Sequence, residues 1–230
     1  GYNKWDKKDT YNMQFSMYAQ YLKDINKANH FDIMAGYEWQ KFHEKSDWYG
    51  TGHYQSTHPT LAGQNYNCPS ADQITKYETE NYLVSFFGRL NYSLLDRYLV
   101  TFTIRDDGSS RFSKDNRWGL FPSVALAWRI NDEPFLQKFE ALSDMKLRLG
   151  WGVTGQQNLS GKDYYYIPTF AENKDHAYYP LFGNGSTARP EVTNTDLTWE
   201  KTTTWNAGLD FGFWNNRLTF NLDWYYRKTK

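Results

Sequence analysis

The side chains best equipped for chemistry lie in two polar runs and a scatter of aromatic rings. Asp106-Asp107-Gly108-Ser109-Ser110-Arg111 gathers carboxylates, hydroxyls and a guanidinium around one glycine. Such a run can touch a polar ligand, or it can bond its own backbone as an ordered turn, a use that Asp and Ser side chains favour. Gly155-Gln156-Gln157-Asn158 offers amides that pair with ligand hydroxyls or with loop backbone. In both runs the loop-ordering reading is preferred. Trp48, Tyr49, Tyr54, Tyr66, Tyr164, Tyr165, Tyr166, Tyr178, Tyr179 and Phe182 fall in segments expected to be long loops. Exposed rings stack on sugar faces and anchor protein interfaces, and the alternative is that they pack the loops together. His53 and His58 have no carboxylate or thiolate at ligand spacing, so no metal is expected. Cys68 precedes Pro69 in a loop and reads as a spectator. No nucleophile elbow, phosphate-binding loop or dinucleotide fingerprint is present, so neither catalysis nor a cofactor is expected.

The elements that must hold these residues are constrained by composition. The 230 residues carry 26 Lys+Arg against 26 Asp+Glu, which removes the basic excess on which a nucleic-acid partner would rest. Aromatic residues make up 19% of the chain, too many for a disordered protein. A single cysteine excludes a disulfide framework within the chain. Mean hydropathy is −0.83, and the apolar runs are too short for a membrane-spanning helix. A membrane β-barrel stays open, because its strands alternate and its mean hydropathy is low.

Period two dominates. Tyr11 to Tyr21 and Phe31 to Gln40 alternate, followed by Val84 to Ser93, Tyr98 to Arg105, Ser123 to Ile130 and Lys146 to Val153. Trp199 to Phe213 and Leu218 to Arg227 complete the set. One short helix is expected at Asp132 to Leu142, where Asn131 or Asp132 can cap, Pro134 suits the first turn, and Phe135 and Phe139 share a face. Short and long connections alternate. The long ones are Lys41 to Asn81, Asp106 to Arg117 and Thr154 to Thr198, and this asymmetry is that of an outer-membrane barrel with short periplasmic turns and long extracellular loops.

A soluble sandwich or propeller also alternates, with its apolar faces turned inward. Strand length and aromatic placement favour the barrel. Tyr21, Phe31, Tyr92, Tyr98, Trp128 and Phe213 fall beside the short turns. Tyr11, Trp39, Trp151, Trp199, Trp224 and Tyr226 fall toward the other ends, as two interfacial belts would.

Specific strings then carry a resemblance. Phe87-Gly88-Arg89-Leu90-Asn91-Tyr92 with Asp96-Arg97-Tyr98, and Arg105 to Phe112 with Gly119-Leu120-Phe121-Pro122-Ser123, resemble the SusC/RagA family of TonB-dependent outer-membrane transporters. So do Leu147 to Gln157, including Gly155, Gln156 and Gln157, and Asn194 to Thr202, which is similar to the family's N-x-x-L-x-W-E-x-T pattern through Trp199 and Glu200. Asn206 to Phe211 also fits. The resemblance implies an all-β, antiparallel transmembrane barrel of about 22 strands closed by an N-terminal plug, of which this chain supplies about eight. It implies opening by TonB, a SusD-like surface lipoprotein that lids the barrel, an outer-membrane location, and import of glycans or peptides. Both ends interrupt a pattern, so residues 1–230 are expected to be part of a single barrel domain, without the plug, TonB box, signal peptide or closing strands. Two rival expectations stand beside this: a secreted aromatic-rich β domain that binds carbohydrate, and a siderophore-type receptor that lacks the lipoprotein lid.

Overall fold

The computed structural model of the chain describes all residues except 1, 56–64, 68–74, 137, 138, 140, 159–162 and 174–186. At 2–6, 48–55, 65–67, 75, 76, 171–173 and 187–189 only the backbone is described. His58, Cys68, Tyr178, Tyr179 and Phe182 lie outside the described residues.

In chain order the strands are β1 (Tyr2–Asn26), β2 (Asn29–Gln55), β3 (Asn65–Asn67), β4 (Thr75–Leu94), β5 (Tyr98–Ser109) and β6 (Trp118–Arg129). They continue as β7 (Leu142–Gln156), β8 (Phe170–Asn173), β9 (Thr187–Pro190), β10 (Glu200–Phe213) and β11 (Leu218–Thr229). The sheet order is β1-β2-β4-β5-β6-β7-β10-β11, with β3 on β2, and β8 and β9 as a separate pair. Each long strand therefore lies beside its successor in the chain, the up-and-down order of a barrel wall. From β4 onward the ladders of this sheet are antiparallel.

Gly1–Gln14 with Gln40–Tyr82 form one compact unit, and Phe15–Trp39 with Leu83–Lys230 form a second. In the first, Tyr11 stacks on His43 at 4.5 Å. Lys41 Nζ lies 2.7 Å from Glu80, Tyr82 donates to the same carboxylate at 2.8 Å, and Lys8 pairs with Glu44 at 2.8 Å.

In the second unit the register lines the apolar residues into continuous rows. Val124 of β6 faces Phe102 and Trp151, Trp151 faces Trp205, and Trp205 faces Tyr226. A parallel row runs from Val100 through Leu126, Leu149 and Ala207 to Trp224. These rows are not a core. Phe102, Leu126 and Leu149 are about 40% exposed, and Phe220 and Trp224 about 60%. The buried hydrophobic side chains are Phe112, Phe121, Ile130 and Trp199 alone among the described residues. A water-soluble sheet of this size would cover such a face, and an apolar face left open on this scale is the face a barrel gives to lipid.

The turns follow from residue chemistry. Leu95 and Asp96 both have positive φ, 54° and 53°, the geometry of the tight hairpin turns whose twist matches that of the strands. Trp214, Asn215 and Asn216 also have φ from 50° to 58°, a region asparagine tolerates well.

Three expectations are corrected. Among the described residues from Asp132 to Leu142 no α-helix forms: a 3-10 turn covers Ile130–Asp132, and i to i+3 bonds then follow at Leu136, Phe139 and Leu142. Glu133 is extended (ψ 141°), as a residue before proline prefers, and its carboxylate is engaged by Tyr98 and Trp128. Phe135 and Phe139 are about 60% exposed, so a helix there would gain no packing to offset its nucleation cost. The connection expected at Lys41 to Asn81 is largely strand, because β2 runs on to Gln55 and β4 begins at Thr75. Ladder bonds hold backbone regardless of side-chain polarity, so β structure outlasts the alternation that announces it. Asp106 to Ser109, expected in a turn, form the end of β5, paired with Leu83 to Phe86 and, through Gly108, with Leu120 to Trp118.

Candidate functional site

The strings singled out by the sequence converge at the long-loop end of β5, β6, β7 and β10. Phe112, just past β5, lies 5.4 Å from the Trp199 ring, and Phe121 of β6 meets the same ring edge-on at 5.3 Å. Leu83, Val153 and Leu197 pack around the three. Trp199 donates its indole N–H to the Arg117 carbonyl at 2.9 Å, which answers the requirement that a buried indole find a partner. Asn116 and Ser113 both donate to the Thr195 carbonyl, at 3.0 and 2.9 Å, and Thr198 donates to the Asn116 carbonyl at 3.2 Å. The β5–β6 connection is thereby zipped to the segment that leads into β10.

Two glycines make room for this knot. A Cβ at Gly119 would lie 2.8 Å from the Trp199 ring, and one at Gly155 would run into the Phe121 ring. The close approach of rings to backbone demands glycine at both places.

On the face opposite the apolar rows the second unit carries polar ladders. Arg105 donates to Asp107 at 2.7 Å and to Ser85 at 2.8 Å, with Glu38 at 3.4 Å. Asp32 accepts from Gln20 at 2.7 Å and from Asn91 at 3.0 Å, and Asn91 accepts from Thr101 at 2.8 Å. Arg148 donates twice to Asp210 and once to Asp223, each at 2.8 Å. A sheet that is apolar and open on one side and laced with hydrogen-bonded charge on the other is a wall between lipid and a polar interior.

Residues 1–230 match the family described as "TonB dependent receptor-like, beta-barrel". The chain belongs to that family. It is 55% identical over 221 residues to the TonB-dependent receptor SusC of Bacteroides thetaiotaomicron, a match covering 95% of this chain and 21% of SusC. TonB-dependent receptor P26 of Formosa agariphila is 32% identical, over 91% of this chain and 21% of its own length. The structure of the RagAB peptide transporter matches with a TM-score of 0.81 and 26% identity, over 99% of this chain and 24% of that one. The receptor chain thus spans about a fifth of the length of the curated relatives it matches. The SusC/RagA resemblance read from the motifs holds, and the sequence is that of an outer-membrane β-barrel.

The receptor's candidate residues are distributed unevenly. Asp107 and Ser109 are buried in β5, and Ser109 accepts from the backbone of Arg111 at 3.2 Å. Arg111 pairs with Asp163 at 2.9 Å, and the Ser110 hydroxyl lies 3.4 Å from that of Tyr164. These contacts tie the β5–β6 connection to the β7–β8 connection. Tyr164 and Tyr165 are half-buried there; Tyr164 meets Tyr166 edge-on at 6.3 Å, and the Tyr165 carbonyl accepts from the Asn194 backbone at 3.1 Å. Gly155 and Gln156 end β7, Gln157 follows it, and Glu200 opens β10. Trp48, Tyr49 and Tyr54 lie on β2, and Tyr66 lies on β3, where Tyr54 and Tyr66 are register partners. The four are therefore strand residues and not loop residues. Trp199 leaves the aromatic belt in which the sequence placed it and becomes the centre of the buried knot.

Phe112 and Phe121 emerge as residues the sequence reading passed over. Both lie inside the family-like strings, but nothing local says that rings so far apart along the chain will meet on Trp199. At the short-turn end Glu133 is the unexpected anchor: it accepts from Tyr98 and from Trp128 and faces Arg97. The Tyr98 hydroxyl, then the Trp128 indole, hold its carboxyl below the ordinary carboxylate range.

Proposed function

We propose that these residues are one continuous part of a single barrel domain of a SusC-like TonB-dependent transporter, which imports glycans or peptides across the outer membrane. A SusD-like surface lipoprotein covers the long-loop end, and TonB opens the channel through a segment outside these 230 residues. The barrel wall supplies no chemistry of bond cleavage. Its polar face lines the passage, and its rim loops help enclose the cargo. The observation that carries the reading is the two-faced sheet, with open apolar rows on one side and the Arg105 and Arg148 networks on the other. The cargo contacts fall to the aromatics Trp48, Tyr49, Tyr54, Tyr66, Tyr164, Tyr165, Tyr178 and Tyr179, whose rings suit sugar faces and apolar peptide side chains. Asp106, Asp107, Gly108, Ser109, Ser110, Arg111, Gly155, Gln156, Gln157, Trp199 and Glu200 set the shape of the rim that presents them.

The test is uptake by cells that lack the full-length gene, scored on a panel of glycans and on peptide digests, with complementation. Loss of one cargo class, restored by the intact gene and weakened by Tyr164→Ala with Tyr165→Ala, supports the proposal. Unchanged uptake of every cargo, in cells that retain no related receptor, refutes it.

A further inference from the structure

The open apolar face ends at the long-loop side in an unusual charge arrangement. Trp205 faces Trp151 on one flank and Tyr226 on the other. Two residues further along, Thr203 faces Lys228, and beyond them the backbones of Lys201 and Lys230 exchange two hydrogen bonds of 2.9 Å. Side chains alternate along a strand, so Lys201, Lys228 and Lys230 share the face of Trp205 and Tyr226. Like charges directly opposite each other on one face of a sheet are destabilising. Among the described residues no salt bridge holds any of the three lysines, whereas Lys41 of β2 has Glu80 at 2.7 Å. The lysines open onto a groove of about 1140 Å³ that Leu120, Trp151 and Trp205 also line, and whose one acidic neighbour is Glu200.

A groove with ammonium groups at its top and indole and leucine surface below has the polarity of an anionic amphiphile. It lies where tryptophan and tyrosine mark a bilayer interface, at the end bearing the long loops and hence on the outer leaflet side. Lysines at such a position extend their charge to the headgroup level. We propose that Lys201, Lys228 and Lys230 form a binding site for a phosphorylated lipid headgroup of the outer leaflet, with the acyl chains lying along Trp151, Trp205 and Leu120. The lipid phosphate relieves the repulsion between Lys201 and Lys230 and fixes the height of the wall in the bilayer. This inference rests on the barrel reading for the direction of the apolar face, and it is independent of what the transporter imports.

The test uses the full-length receptor purified in a neutral detergent, with heat-modifiable gel mobility as the check that the barrel has formed. Diphosphorylated lipid A is titrated while tryptophan emission is followed, and bound lipid is counted by native mass spectrometry. The expected result is saturable binding that is at least about tenfold weaker in the Lys201→Gln, Lys228→Gln double variant, as loss of two near-surface cations implies. The Lys201→Arg, Lys228→Arg variant, which keeps the charge, should bind like wild type. Dephosphorylated lipid should bind weakly, and inorganic phosphate at equal concentration should not compete. Equal binding by the Gln variant, or full competition by inorganic phosphate, overturns the lipid site while leaving the barrel intact. Absence of heat-modifiable mobility in the wild type overturns the barrel reading and the lipid site together.

Discussion

The indole N–H of Trp199 points at the carbonyl of Arg117, 2.9 Å away, and so couples the entry of β10 to the exit of the β5–β6 connection. The ring is 6% exposed and lies between Phe112 and Phe121, so one side chain contributes both a buried polar bond and the centre of the rim packing. Trp199→Phe should keep most of the packing and lose the bond, at a cost of about 1 kcal/mol. Trp199→Ala should cost about 3–5 kcal/mol through the cavity it leaves. Thermal loss of heat-modifiable mobility in the full-length receptor measures both, and equal midpoints for the two variants would falsify the proposed role of the ring.

Gly155 is expected to be intolerant of any side chain. A Cβ there meets the Phe121 ring, which is itself held in the knot and cannot move aside cheaply. Gly155→Ala should destabilise by about 1–3 kcal/mol, the ordinary range for overpacking. Combining it with Phe121→Leu should recover part of the loss. Simple additivity of the two changes would show that they do not meet.

The acid sensitivity of the first compact unit follows from Glu80. Lys41 and Glu80 lie beyond the roughly 9–11 residues that cross a bilayer, counted from the short turns. Lys41, then Tyr82, and more weakly His43, hold the Glu80 carboxyl down to about 2 from 4.5. A depressed carboxyl stabilises the fold above its unfolded value and loses that contribution as pH falls toward its folded value. The protection of amides around Glu80, taken relative to the intrinsic exchange rate at each pH, should therefore fall between about pH 4.5 and pH 2. Glu80→Gln should be less protected at neutral pH, with protection changing little further in that window. A wild-type profile flat from pH 5 to 2 would count against the ion pair.

Asp210 and Asp223 share Arg148 unequally. Asp210 takes two parallel bonds at 2.8 Å and is the more covered, while Asp223 takes one and is about 60% exposed. Asp210→Asn should lower stability by about 1 kcal/mol, and Asp223→Asn by under about 0.5 kcal/mol, since solvent screens the exposed pair. Chemical denaturation of the two variants in one detergent settles the order, and a larger effect at Asp223 would mean that it carries the network.

Much of the wall was legible because a strand's side chains alternate by geometry alone. Tyr98, Val100, Phe102 and Ile104 had to share one face, and so did Trp205, Ala207, Leu209 and Phe211, whatever the tertiary structure. The same pattern placed the short turns, and the motif strings carried the family. Where both faces are polar, as in β2 beyond Trp39, periodicity has nothing to report, and the strand's continuation to Gln55 is decided by ladder bonds to neighbouring strands. At Asp132 the local helix signals were genuine but weak, and they lost to tertiary partners: Tyr98 and Trp128 hold the Glu133 carboxylate, and no core awaits Phe135 or Phe139. The rim knot was hidden for a different reason. Phe112, Phe121 and Trp199 are ordinary residues in separate strings, and only the tertiary structure brings the Phe112 and Phe121 rings to 5.4 and 5.3 Å from Trp199. Sequence by itself determined which side of each strand is apolar, because that is set by local backbone geometry. The tertiary structure decided which side chains become buried, because burial depends on partners that are distant along the chain.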